Sequence, residues 1–285
     1  MSFVGRFINM DASTGRREAF ERGLEQLGQA GRYTRFAAVD GRGVDVGRST
    51  LPPSEMGCML SHYQCVLEAA ERDGLTHIVE DDVVFAAEAV PILDQILRDT
   101  DPSWDLLFTD IIVPVNFDTL LTLVSCWRAA GMEGTAPPRR PSSIHYLDLA
   151  QIPFSGAASY LLSNSGARKL APLMAAELAK GATMQVDMLH RWAVNKGALS
   201  AACTVPFLTS VDPAGIVSTT IADRNQHQAS ALALFVLRYY FFYGRSDEAL
   251  RAMAAELGGA IAAGDDIDLL WPAIRYVLSE NYVNF

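Results

Sequence analysis

Along this chain two hydrophobic patterns trade places: short apolar runs of strand type and apolar residues recurring at helical spacing. Phe3–Met10 reads as a strand and Arg16–Gln29 as a helix, which Asp11, Ser13 or Thr14 can cap. Tyr33–Val39 is a second strand, closed by the turn pair Asp40-Gly41. Strand, helix, strand at this spacing predicts a βαβ unit. After a Gly- and Pro-punctuated loop, Ser54 caps a helix reaching about Asp73. Its positions Met56, Met59, Leu60, Tyr63, Val66, Leu67 and Ala70 form one apolar face. A strand over Thr76–Phe85, a helix over Val90–Arg98 and a strand over Trp104–Asp110 follow.

From Ile111 to Ser143 the pattern weakens to a helix over Phe117–Ala130 and a Pro-rich loop from Gly134. Such a stretch suits a functional lid, an acceptor loop or a disordered insertion. Strands return at His145–Ala150 and Phe154–Leu162, the latter opening on small residues, as where a ligand or backbone approaches closely. Asn164 or Ser165 caps a helix through Ala179. A helix over Val186–Asn195 carries Asp187 and His190, and Ala202–Val211 is the last strand. Beyond it only Ala-rich helical stretches remain, at Gln226–Tyr243, Asp247–Ala263 and Asp268–Ser279, with an aromatic cluster at Tyr239–Tyr243. The pattern divides the chain into an α/β domain, 1–221, and a helical appendage, 222–285. That appendage packs on the α/β domain or on a second subunit, which gives a route to a homo-oligomer. With few basic residues nearby, its aromatics suit a core or protein interface better than a membrane surface.

One stretch breaks the pattern. The apolar run Thr76–Val79 stops at Glu80-Asp81-Asp82 and resumes at Val83. Adjacent carboxylates repel one another unless a cation or hydrogen-bond donors compensate. A solvated turn would serve, but apolar flanks on both sides favour a half-buried site at the carboxyl edge of a sheet, where open α/β folds bind ligands. Asp110 ends another apolar run and either joins this edge or caps a turn.

Composition narrows the choices. The 285 residues can bury a full core, and the formal net charge of −10 disfavours nucleic acid or an anionic membrane surface as general partners. The opening residues lack an apolar core of signal-peptide length, and no window approaches the roughly 18 apolar residues that span a bilayer. Cys58, Cys65, Cys126 and Cys203 form no CxxC pair. Cys58 and Cys65, on one helix about 10 Å apart, cannot be bridged. A reduced, cytoplasmic protein is expected, with a peripheral seat at the inner face of a membrane open to it. Cys58, His62 and Cys65 share a stripe of zinc-ligand types, but structural zinc draws four ligands from separate pieces of chain. Cys58 and Cys65 are therefore read as small packing groups, with His62 hydrogen-bonded near the sheet edge.

A strand-borne acidic cluster suits a hard divalent cation, Mg²⁺ or Mn²⁺, whose shell is completed by water and substrate phosphates. The chain has neither GxxxxGK[ST] nor a GxGxxG after its first strand.

Several blocks resemble glycosyltransferase family 25. They are Ile8-Asn9-Met10-Asp11 with Arg16-Arg17 and Phe20, Phe36–Gly41, Glu55-Met56-Gly57-Cys58-Met59-Leu60-Ser61-His62, and Val79-Glu80-Asp81-Asp82-Val83. Weaker echoes follow at Trp104–Leu107, Ala158–Leu170, Val186-Asp187 and Val217–Ile221. Met10, Cys65 and the long C-terminus depart from the family pattern. The resemblance implies a GT-A-like nucleotide-sugar-binding domain with a mostly parallel or mixed sheet. It also implies a UDP-sugar donor, commonly UDP-galactose, a saccharide acceptor on a surface glycan, lipooligosaccharide or glycoprotein, and inversion at the anomeric carbon. Carried over, Asp82 is the metal ligand, Glu80 its partner toward the ribose or a metal-bound water, and Asp81 a second acidic contact or a structural cap. Asn9, Asp11 and Arg17 lie near the nucleoside and Asp40 closes that pocket. Ser61 and His62 belong to the donor side, and Asp187 is the general base. His190 and His227 are candidates for a further metal or phosphate contact. The rivals are a catalytically silent binding module and a metal-dependent phosphate-ester hydrolase.

Overall fold

A computed structural model of the chain describes residues 2–44, 49–99, 103–113, 116–132, 140–213 and 228–262. The opening βαβ unit comprises β1 (Phe3–Asn9), α1 (Thr14–Gln26) and β2 (Tyr33–Ala37), with the strands parallel from Gly5↔Tyr33 to Asn9↔Ala37. Next come α2 (Pro53–Glu71), β3 (Leu75–Glu80), β4 (Val83–Phe85), α3 (Ala89–Asp99), β5 (Leu106–Phe108) and α4 (Phe117–Ala129). The order continues with β6 (His145–Asp148), β7 (Ser159–Ser163), α5 (Asn164–Ala179), α6 (Val186–Asn195), β8 (Ala201–Val205), β9 (Thr209–Val211), α7 (Gln228–Tyr240) and α8 (Asp247–Ala262).

Seven strands form one mixed sheet in the order β2-β1-β3-β7-β5-β8-β6. β1 and β3 are parallel, β7 runs antiparallel between β3 and β5, β8 is parallel to β5, and β6 closes the edge antiparallel. This register sends the carboxyl ends of β1, β3 and β5 to one edge, so Asn9, Glu80 and the Thr109-Asp110 pair emerge together. The central strands carry unbroken apolar runs because both faces are covered. Ile78, Val79, Leu106, Leu107, Leu161 and Leu162 are fully buried.

Several element ends differ from the sequence reading. Pro53, not Ser54, opens α2, since a proline's missing N–H is no loss in a first turn. Ser163 caps α5, its hydroxyl accepting from the Gly166 amide at 2.9 Å. The expected strand Phe154–Leu162 starts only at Ser159, because Gly156 turns the chain at φ 90°. The run Ala202–Val211 splits at Pro206 into β8 and β9, and β9 pairs antiparallel with β4 as a separate ribbon directly after the acids. Position 221, the helical stretch Asp268–Ser279 and His227 lie outside the described residues.

The C-terminal helices are tied to the sheet. Leu232, Val236, Leu237 and Leu257 are buried in the same cluster as the strand residues, as are Tyr239–Tyr243. Trp127 of α4 packs on Tyr240 and Phe241, and Arg245 lies over the Trp127 ring at 4.6 Å. Backbone bonds join Phe207 to the same segment, its amide donating to the Phe241 carbonyl at 2.8 Å. The aromatic cluster is core.

Candidate active site

The site grows from the end of β3. Glu80 is the last strand residue, Asp81 and Asp82 form the turn, and β4 starts at Val83. The Glu80 amide donates to the Ala158 carbonyl, and the Asp82 carbonyl accepts from Asp212, both at 2.8 Å. The backbone is thus pinned on both sides while the three carboxylates share one edge.

Their surroundings differ. Asp81 is paired: Asn9 Nδ2 donates to it at 2.6 Å and Arg16 Nη1 at 3.1 Å. Burial still lifts its carboxyl above the ordinary range, with Asn9 and Arg16 opposing. Glu80 accepts from His62 Nε2 at 3.3 Å, and the Cys58 thiol lies 3.8 Å from the same oxygen. Burial pushes Glu80 upward, but the bond and charge of His62, the Arg238 charge and the Cys58 contact outweigh it and hold the carboxyl low. Asp82 has the least support. Its side chain is 12% exposed, Arg16 is 3.9 Å away, and Oδ1 is buried without a hydrogen-bond partner among the described residues. Burial first, then the Glu80 charge, push its carboxyl up to about 7, against the pull of Arg16.

Asn9 links this edge to β2. Its side-chain oxygen accepts from Arg35 Nε at 2.9 Å, and Arg35 Nη2 reaches the exposed carboxylate of Asp11 at 2.5 Å. Asn9 therefore meets the acids directly, and Asp11 joins them through Arg35 and Asn9. Arg16 makes the acidic contacts, whereas the half-buried Arg17 side chain makes no hydrogen bond among the described residues. Asp40 is held by Arg42 (backbone and Nε at 3.0 Å, Nη2 at 2.8 Å), and these bonds keep its carboxyl below the ordinary range. It shares no hydrogen bond with the acidic turn.

The motif on α2 acquires a physical reading residue by residue. Glu55 accepts from Gln185 Nε2 at 2.9 Å, tying the start of α2 to the start of α6. A Cβ on Gly57 would stand 2.5 Å from the Val39 carbonyl oxygen, so only glycine allows this approach to the end of β2. Ser61, fully engaged, accepts from the Val39 amide at 2.9 Å and donates to the Gly57 carbonyl at 2.6 Å. His62 is buried, its Nδ1 2.9 Å from the Tyr160 hydroxyl and its Nε2 facing Glu80, so it bears on the acidic turn through Glu80. Cys65 lies in the core.

Asp187 stands in the first turn of α6, half-buried. Its Oδ2 accepts from the Gly156 amide at 3.0 Å and its Oδ1 from Met188 at 2.9 Å. Together with Glu80 and Glu55 its charge bears on Cys58, where burial is the largest cause of a thiol held well above its ordinary range. Asp187 therefore belongs to the same electrostatic neighbourhood as the acidic turn. His190, one turn on, is fully buried with neither ring nitrogen hydrogen-bonded among the described residues. Burial, reinforced by His62, depresses it to about 3, so the ring is neutral.

Arg16, Arg35, Tyr160 and Arg238 are the participants that sequence reasoning missed. Arg238 is buried in α7 and pairs with Asp110, Nε donating at 2.6 Å, while its charge also reaches Glu80 and Asp82.

Fold and site define an α/β domain that gathers carboxylates and arginines at the carboxyl edge of its sheet, the position where such folds take charged small molecules. Residues 6–190 match the family described as glycosyltransferase family 25 (LPS biosynthesis protein). A comparison with curated proteins gives no match. The chain belongs to glycosyltransferase family 25, and so to the glycosyltransferases of lipopolysaccharide biosynthesis, which join a sugar donor to a saccharide acceptor. No described helix is long and apolar enough to cross a membrane.

Proposed function

We propose that this enzyme moves a hexose, galactose first among the candidates, from a UDP-sugar to a lipid- or protein-linked saccharide acceptor. Inversion at the anomeric carbon and assistance by a divalent cation, Mn²⁺ or Mg²⁺, belong to this reading. The observation that carries it is Asp82: a buried carboxylate with an unpartnered oxygen, pushed up to about 7 beside two further acids. Such a site is short of positive charge, and a hard divalent cation with oxygen ligands supplies it.

Asp82 and Glu80 would hold the cation, which when bound would neutralise the donor's phosphates. The remaining work falls to the chain. Arg16 and Asn9 hold Asp81 toward the same edge, and Arg35 fixes Asn9 and Asp11 on the nucleoside side. Asp187, oriented by the Gly156 amide, accepts the proton of the acceptor hydroxyl as that oxygen bonds to the anomeric carbon and the bond to the diphosphate breaks. His62 and Tyr160 orient Glu80 from behind.

Screening UDP-sugars for thermal stabilisation with and without Mn²⁺ tests the reading, because a bound ligand raises the melting temperature by mass action. A Mn²⁺-dependent shift with one UDP-hexose, and UDP release on adding acceptor, are expected. No shift with any UDP-sugar, or phosphate release from simple esters without an acceptor, would overturn it.

A further inference from the structure

A second set of donor atoms stands behind the acidic turn. Cys58 and His62, four residues apart on one face of α2, both face Glu80 Oε1, and one ligand atom from each of the three residues lies within 4.8 Å of the others. Their spacing is informative. A charge-assisted N–H···O bond is usually about 2.7–2.9 Å, yet His62 Nε2 is 3.3 Å from Glu80. Zinc bonds of about 2.0–2.3 Å put the corners of a tetrahedron about 3.3–3.6 Å apart. The His62–Glu80 edge has that length and the Cys58–Glu80 edge, at 3.8 Å, is close to it.

The surroundings fit a metal as well. The His62 ring is fully buried and stacked on Tyr160, with centroids 5.8 Å apart and planes 18° apart, so its direction is fixed. Nδ1 faces the Tyr160 hydroxyl at 2.9 Å, which leaves Nε2 to ligate while Nδ1–H donates to that oxygen. An outer hydrogen bond of this kind accompanies most metal-bound histidines. Glu55 and Asp187 add negative charge around Cys58. Glu80 is 33% exposed, so the site opens to solvent.

We propose that Cys58, His62 and Glu80 form a binding site for a thiophilic divalent cation, best zinc, distinct from the oxygen site at Asp82. Sulfur and imidazole select zinc over Mn²⁺ or Mg²⁺. Three protein ligands leave a fourth position for water or a small ligand. Binding displaces the Cys58 proton to solvent and forms a thiolate–metal bond. Because Glu80 serves both places, zinc here withdraws it from the acidic turn. The binding itself does not rest on the proposed transfer reaction.

Titrating the full chain with Co²⁺ alone tests the site, since a cobalt–thiolate bond adds a near-ultraviolet charge-transfer band. One equivalent should raise the band and Zn²⁺ should displace it. Cys58→Ser should abolish it, and Tyr160→Phe should weaken Zn²⁺ affinity about 10–100-fold. A missing band, or one that survives Cys58→Ser, would overturn the proposal. If Cys58→Ser fails to fold, alkylation of the unsubstituted protein decides. Zn²⁺ should slow modification of Cys58 and leave that of Cys126, also partly exposed, unchanged. Equal Cys58 rates with and without zinc would sink the idea.

Discussion

Two buried polar regions lie a few residues apart on β3, and they are built on opposite terms. The first crosses the sheet. Tyr33 bonds His77 at 2.7 Å, His77 bonds Ser159 at 3.0 Å, Thr109 donates to Ser159 at 2.6 Å and meets Thr209 at 2.7 Å. Thr209 bonds Asp110, and Asp110 pairs with Arg238 of α7. His77 is held neutral, depressed to about 3 by burial and the Arg32 charge. Each link hands a hydrogen bond to the next, and the chain ends in the buried Asp110–Arg238 ion pair, so it is structure. The second region, Glu80-Asp81-Asp82, places three carboxylates at one strand end and leaves Asp82 Oδ1 without a partner among the described residues. A buried polar group left unpaired costs about 1–3 kcal/mol. In the first region the unpartnered atoms, Asp110 Oδ1 and Arg238 Nη2, belong to an ion pair that balances their charge. Asp82 has only Arg16, at 3.9 Å, as an ion-pair partner among the described residues, so the acidic end suits a ligand.

The largest expected effect tests the unpaired side. Asp187→Asn keeps the shape but removes the proposed base, so kcat should fall about 10²- to 10⁴-fold with little change in melting temperature. A rate within threefold of the parent would remove Asp187 from the chemistry. On the paired side, Arg238→Met leaves Asp110 buried and uncompensated. Urea unfolding should report a loss of about 3–5 kcal/mol, most of it recovered when Asp110→Leu is added. Failure of the second change to restore stability would mean that the pair is not the junction described.

His190 sharpens the contrast, being buried like His77 but unpartnered among the described residues. His190→Leu should therefore be nearly neutral at pH 7. With its folded value near 3 against the ordinary 6.5, the wild-type ring binds a proton only when unfolded between those limits, so stability falls as pH drops below 6.5. At pH 5 the variant should be about 2 kcal/mol the more stable. Parallel pH profiles for the two proteins would contradict that.

Much of this was legible beforehand, and the reasons are local. The acidic strand end announces itself by its apolar flanks, the core face of α2 by helical spacing, and the α2 segment from Glu55 to His62 by its resemblance to the family pattern. The choice between Arg16 and Arg17 was not legible. Adjacent helical residues point about 100° apart, and the helix begins at Thr14, earlier than its apolar pattern suggests. Tyr160 was out of reach because its partner His62 lies 98 positions away. The same holds for Arg238: an apolar face on α7 predicts burial but not against what, and only the folded chain shows it meeting Asp110. Pro206 could have been read as the break between β8 and β9, since it has no N–H for a ladder.

The most direct measurement concerns Asp82→Asn. Asp82 ionises near 7 in the fold and at 3.8 ordinarily, so its charge opposes folding increasingly as pH rises through that window. The metal-free variant should then be more stable than the parent by about 4 kcal/mol at pH 8 and about 2 kcal/mol at pH 5. In the same melting experiment the parent should gain stability from UDP with Mn²⁺ and the variant should not. A variant that melts no higher than the parent and still responds to UDP with Mn²⁺ would contradict the account.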